Sequence, residues 1–267
     1  MCRVFRYSVI FILLVSSSFM SNAETLDHSI WDGLLQKHVQ AINDGHSTTV
    51  DYTNFLKDRA QLGRYLTQLS SIKLDEFDSL NKDEQLSLLI NAYNAWTVEL
   101  ILTKYPDLKS IKELGSFFRS PWKKEFIHFL GEQRSLDDIE HNLIRGSGRY
   151  KDARIHFAVN CASIGCPSLR AEAFIASKLN AQLEDQTQLF LSDTTRNRLV
   201  KDGLEVSSIF KWYREDFEKG WSGVDSLESF FALYSDALKL SDQQVLDLQD
   251  GNLDIEFLDY DWRLNSN

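Results

Sequence analysis

The chain has 267 residues, 43% of them hydrophobic and 12% aromatic, which is enough apolar mass for a substantial core. Its formal charge is −10 at pH 7 and no basic patch offsets it, which argues against nucleic acid and other polyanions as partners. The composition points to an acidic, soluble protein of one domain; its expected partner is an unidentified small molecule or peptide. No cofactor is indicated.

The first segment reads as a leader. Arg3 and Arg6 precede an apolar run from Val9 to Val15 that is too short to span a bilayer. Ser21-Asn22-Ala23 then places small residues where a signal peptidase reads. Residues 1–23 are therefore expected to be a signal peptide, cleaved after Ala23 and carrying Cys2 away. The mature protein is expected to be periplasmic or secreted, with no stable membrane insertion. Export leaves Cys161 and Cys166, and an even pair in an oxidising compartment is first suspected of a disulfide.

Residues 24–80 read as an N-terminal helical part, packed as one unit with a main α+β domain over 81–267. A helix capped by Ser29 carries Ile30, Leu34, Leu35, Val39 and Ile42 and ends at Asn43-Asp44-Gly45. A second helix follows Asp51. His28, His38 and His46 share no spacing and are expected to be exposed. Asn81 caps the next helix with Glu84 three residues on, and Pro106 bounds it. Inside this apolar helix Asn91 and Asn94 share a side. Each needs partners, because an unpaired buried amide costs about 1–3 kcal/mol. They either bond neighbouring backbone or line a site, and the sequence leaves both open.

Phe126 to Phe129 is a short strand turned by Gly131-Glu132 into a hairpin. Ser135 starts a helix that runs through Ile139, Glu140, His141 and Leu143 to Arg145 and ends at Gly146. Glu140 and His141 flank its buried stripe, and His141 can face Arg145 four residues on. The stretch Ile155-His156-Phe157-Ala158-Val159 reads as a buried strand, and Gly165 and Pro167 then punctuate a loop. Later come a helix over about 176–192, a strand at 203–207, a helix with Phe210, Trp212, Tyr213 and Phe217, a helix from Ser226 to Tyr234, and a final strand at 253–258. Many helices and few short strands imply a helix-rich α+β domain around a small, mainly antiparallel sheet.

Three readings compete for His156, Cys161 and Cys166. In the first, a thiolate nucleophile works with His141 or His156 as base, and Glu140 or an asparagine orients that base. Cys166 is slightly preferred as nucleophile because a loop after Gly165 would expose it. The expected chemistry is that of a cysteine-dependent hydrolase or transferase acting on an amide or thioester bond. In the second reading a Cys161–Cys166 disulfide braces a non-catalytic ligand- or protein-binding module. In the third the cysteines and histidines hold zinc, a reading ranked below the thiol one.

The segments Leu89-Ile90-Asn91-Ala92-Tyr93-Asn94-Ala95, Pro121-Trp122-Lys123, Ser135 to His141, Ile155 to Pro167, Leu169 to Ala173 and Ile209 to Phe217 occur together in this order. Tyr260-Asp261-Trp262 adds a last piece. In these residues the chain resembles the bacterial and plant family called domain of unknown function 547. The resemblance implies a fold, and it implies that Asn91, Asn94, Glu140, His141, His156, Asn160, Cys161, Cys166, Arg170 and Glu172 belong together. Asn91, Asn94, Asn160, Arg170 and Glu172 are accordingly expected to line the pocket. The family name carries no activity.

Overall fold

A computed structural model describes residues 27–116, 118–201 and 203–267. The expected signal peptide, with Arg3, Arg6, Cys2 and Ala23, lies outside the described residues.

The chain opens with helix α1 (Ser29–His38), the hairpin β1 (Val39–Ile42) and β2 (Ser47–Val50), and helices α2 (Tyr52–Lys57), α3 (Arg59–Ser71) and α4 (Leu74–Ser79). The single helix expected to reach Ile42 is thus cut at Val39. Asn43-Asp44-Gly45 turns the hairpin instead, with positive φ at all three residues. His38 is also not exposed: it is buried, and its Nε2 lies 2.8 Å from Asp58 Oδ2.

Helix α5 (Lys82–Leu102) is the axis of the fold. Asn81 and Glu84 form its capping box, which contributes roughly 1 kcal/mol. The helix is apolar almost all round, so it is buried on every side rather than along one stripe. No helix among the described residues is long and apolar enough to cross a membrane. A core built on Trp31, Tyr52, Phe55, Tyr65 and Leu89 surrounds α5. Strands β3 (Ile127–Phe129) and β4 (Glu132–Arg134) form the expected hairpin.

A π-helix follows (Asp138–Arg145), then a 3-10 turn (Ala153–Phe157), helix α6 (Leu179–Ser192), strands β5 (Arg198–Val200) and β6 (Gly203–Ser207), helices α7 (Ile209–Trp212), α8 (Arg214–Phe217), α9 (Leu227–Leu233) and α10 (Asp242–Gln249), and strand β7 (Asp254–Leu258). The sheet content is three small pieces, two hairpins and a three-stranded sheet of order β5-β6-β7. Every pairing is antiparallel except β6 with β7, which is parallel. This is a helix-rich α+β fold. A second core packs on the small mixed sheet and consists largely of phenylalanine: Phe157, Phe190, Phe210, Phe217, Phe230 and Phe231.

The two cores meet at the 3-10 turn. Ile155, Ala158 and Val159 enter the first core, whereas Ala153 and Phe157 enter the second. The expected strand is absent: among the described residues no strand lies alongside 153–157 to pair with it. Asp152 caps the turn at the Arg154 N–H and also binds the Arg154 guanidinium, fixing the chain in a tight coil. An apolar run of this length does not distinguish a buried strand from a buried helical turn.

Candidate functional site

A cavity of about 230 Å³ opens where the two cores adjoin. Its wall includes Glu140, His141, His156, Cys161 and Cys166, so the five residues singled out for chemistry come together. The other five stand behind it. Asn91 donates to Phe174 O at 2.7 Å and accepts from Phe174 N at 3.0 Å. Asn94 clamps Ala158 O at 2.9 Å and Asn160 N at 2.8 Å. Asn160 donates to Pro167 O at 2.7 Å and accepts from Ala162 N at 3.0 Å, which closes the cysteine loop on itself. Arg170 pairs with Glu172 and Asp185. The expected pocket-lining role therefore gives way to a supporting one. Each asparagine satisfies backbone that the buried loop cannot pair internally.

The loop holds its cysteines under strain. Ala162, between Cys161 and Ser163, has φ +60, a left-handed conformation that costs a non-glycine residue about 1–2 kcal/mol. Both cysteines are free thiols, with sulfurs 2.7 Å apart. Cys166 is 4% exposed, contrary to the argument that favoured it as the open residue, and Cys161 is the more accessible of the two. Cys161 Sγ lies 2.7 Å from Cys166 Sγ, closer than two sulfurs in ordinary contact, and shares hydrogen bonds with Ser163 Oγ and Tyr260 OH, each at 3.1 Å, while Ser163 donates its hydroxyl to Tyr260. Burial pushes the Cys161 thiol up, but these hydrogen bonds outweigh burial and hold its pKa below the ordinary thiol value. Burial pushes Cys166 well above that value, and the neighbouring sulfur adds to the rise. The two thiols therefore differ, with Cys161 the more acidic of the pair.

The facing wall comes from the π-helix, α7 and Tyr213, with Arg145 and, from α8, Asp216 standing behind it. An i→i+5 ladder, seen in the Gly146 N–H bond to His141 O at 2.8 Å, brings Glu140 and Arg145 into register with His141 between them. Arg145 Nη1 lies 2.7 Å from His141 Nδ1, and its Nε donates to Asp216 Oδ2 at 2.5 Å. The same Asp216 oxygen lies 2.9 Å from His156 Nε2. Burial would raise the Asp216 pKa, yet hydrogen bonds from His156, Arg145 and Lys219 overcome it and keep the carboxylate ionised far below its usual range. Burial also pushes the His156 pKa down, against the pull of Asp216, so the ring is neutral. An ionised carboxylate only accepts, so His156 Nε2 carries the proton and Nδ1 keeps a lone pair. That Nδ1 is buried and has no partner. Tyr213 stacks on His156 with ring centres 4.2 Å apart and donates its hydroxyl to Glu140 Oε1 at 2.8 Å.

Residues 77–191 match the family model described as Protein of unknown function, DUF547. The DUF547 segment supplies the asparagine clamps, the π-helix, His156 and both cysteines. The chain beyond it supplies Tyr213, Asp216, Tyr260 and Trp262, including the quoted motif Ile209 to Phe217. No curated protein and no solved structure matches the chain. Asp216 and Ser163 lay inside quoted motifs without being singled out. The spacing offers no signal for Asp216, because its partners His156 and Arg145 are 60 and 71 residues away in sequence. Among the described residues no three His, Cys, Asp or Glu side chains are grouped to hold a metal ion, so the zinc reading finds no ligand set there.

Proposed function

We propose that the protein is a cysteine-dependent hydrolase or transferase acting on an amide or thioester bond, with Cys161 as nucleophile. The observation that carries this reading is the Cys161 sulfur at the wall of a cavity, within 3.1 Å of Cys166 Sγ, Ser163 Oγ and Tyr260 OH. Hydrogen bonding to a charged sulfur stabilises the thiolate, so activation does not depend on a direct imidazole contact. Among the described residues neither sulfur is hydrogen-bonded to an imidazole.

In this scheme the thiolate adds to the substrate carbonyl, the bond to nitrogen or sulfur breaks, and an acyl-Cys161 thioester forms. A thiol leaving group departs as its thiolate and an amine departs with the Cys166 proton; neutral His156, held by Asp216, then takes a proton from the incoming water or acceptor at its free Nδ1 and returns it to the thiol pair as the acyl group leaves Cys161. Tyr213 and Arg145 hold that imidazole and its carboxylate in place. Mass spectrometry after mixing with a simple thioester should trap the acyl adduct on Cys161. Cys161→Ala should abolish turnover while circular dichroism stays native. Full activity in both single-cysteine variants would sink the proposal. Export is part of it, and a mature protein beginning at Glu24 is expected by N-terminal sequencing.

The second reading, a binding module braced by a Cys161–Cys166 disulfide, draws on the same 2.7 Å approach of the sulfurs. A free-thiol titration of protein purified without reductant separates the two, with two titratable thiols expected for the enzyme and none for the brace.

A further inference from the structure

We infer that the cavity selects substrates carrying an alkylammonium group beside the bond that is broken, an inference that rests on the hydrolase or transferase reading above. The outer wall is aromatic. Trp212 and Trp262 stack with centres 5.8 Å apart, Tyr260 lies 4.5 Å from Trp262, and Trp122 meets Trp262 edge-on at 5.8 Å. Asp137 and Glu140 add negative charge to the same wall, while Lys112 and Arg145 sit over the rings of Trp262 and Tyr213 without lining the cavity themselves. Ring faces and carboxylates together attract a cation and repel a carboxylate.

The chain itself shows the preference. The Lys112 ammonium sits 3.7 Å over the Trp262 ring, and among the described residues it has no carboxylate partner. A ring face in this cluster thus already holds an alkylammonium ion without an ion pair. The second observation is the buried, unpartnered His156 Nδ1 in the same cavity, a polar atom left for a ligand to satisfy. The volume of about 230 Å³ lies under the usual range of roughly 300–1,000 Å³ for drug-sized ligands. It suits one aminoacyl-sized unit rather than an enclosed polymer.

The test uses the mature protein carrying Cys161→Ser, titrated with n-butylammonium, 1-butanol and butanoate and followed by tryptophan fluorescence and calorimetry. Butylammonium should bind about tenfold tighter than either isostere, a margin in the range of a desolvated cation–ring contact. Trp212→Leu should weaken it about fivefold or more, and Asp137→Asn should narrow its margin over butanol. Trp212 is 48% exposed, so its replacement opens no core and should leave circular dichroism native. Absence of butylammonium binding, equal binding of butanol or butanoate, or binding unchanged in both variants would overturn the inference. Because Cys161→Ser lacks the nucleophile, the seat is read apart from the chemistry. Selective butylammonium binding alongside full turnover in the single-cysteine variants would keep the seat and reject the thiol mechanism.

Discussion

Cys161 draws its partners from separate places: Cys166 and Ser163 in its own loop, and Tyr260, 99 residues on. Hydrogen bonds to a charged sulfur favour the thiolate, so losing one of them should raise the Cys161 pKa. Cys166→Ala and Tyr260→Phe are each expected to shift the pH profile of iodoacetamide labelling upward and to slow labelling at pH 7. An unchanged profile in both would refute the donor arrangement. Gly165 belongs to the same device. A Cβ there would meet Asp261 N at 3.0 Å and the Tyr260 ring at 3.1 Å. Gly165→Ala should therefore push Tyr260 off the sulfur and move the labelling profile in the same direction.

At the scale of elements, the asparagines of α5 hold the site loop in register. Asn94→Ala orphans the buried Ala158 carbonyl and Asn160 N–H, at about 1–3 kcal/mol each, and should lower Tm by several degrees without touching the cavity wall. Asp216 ties α8 to the π-helix and the 3-10 turn. Its folded pKa is depressed, so its stabilisation is complete above the ordinary carboxylate value and is lost as pH falls below about 4. Asp216→Asn should destabilise the protein at pH 7, and the gap from wild type should close in acid. A gap independent of pH would show that the carboxylate charge is not what holds these elements. Much of this level was legible in the sequence. The Asn81–Glu84 capping box, the hairpin at Gly131 and the approach of His141 to Arg145 are local and carry local signals. The 3-10 turn at His156 was not, because residues buried on all sides lose the periodicity that separates strand from helix. The i→i+5 ladder was not either, since no residue marks a π-helix as a proline or a cap marks an α-helix. The grouping of ten polar residues was visible in the motif segments, but the split between cavity and support was not, because it depends on which backbone groups the fold leaves unpaired.

At the scale of the molecule, the two cores make a seam, and the chain's last residues close it. Ile164 N bonds Arg263 O at 2.8 Å, Asn265 N bonds Ala162 O at 3.2 Å, and Val50 N bonds Asn265 O at 2.9 Å. Asn265 also accepts from Tyr52 at 2.9 Å. Asn265→Ala should lower Tm and slow Cys161 labelling together, and a fall in Tm alone would show that the tail braces the fold without shaping the thiol loop. This tail also sets a timetable. A growing chain makes the cysteine loop about 100 residues before Tyr260 and Arg263 exist, and during that interval Cys161 lacks a donor and its loop lacks an edge to lean on. Under the proposed mechanism, the loop that carries Cys161 thus gains its full set of partners only once residues 260–265 have packed against it.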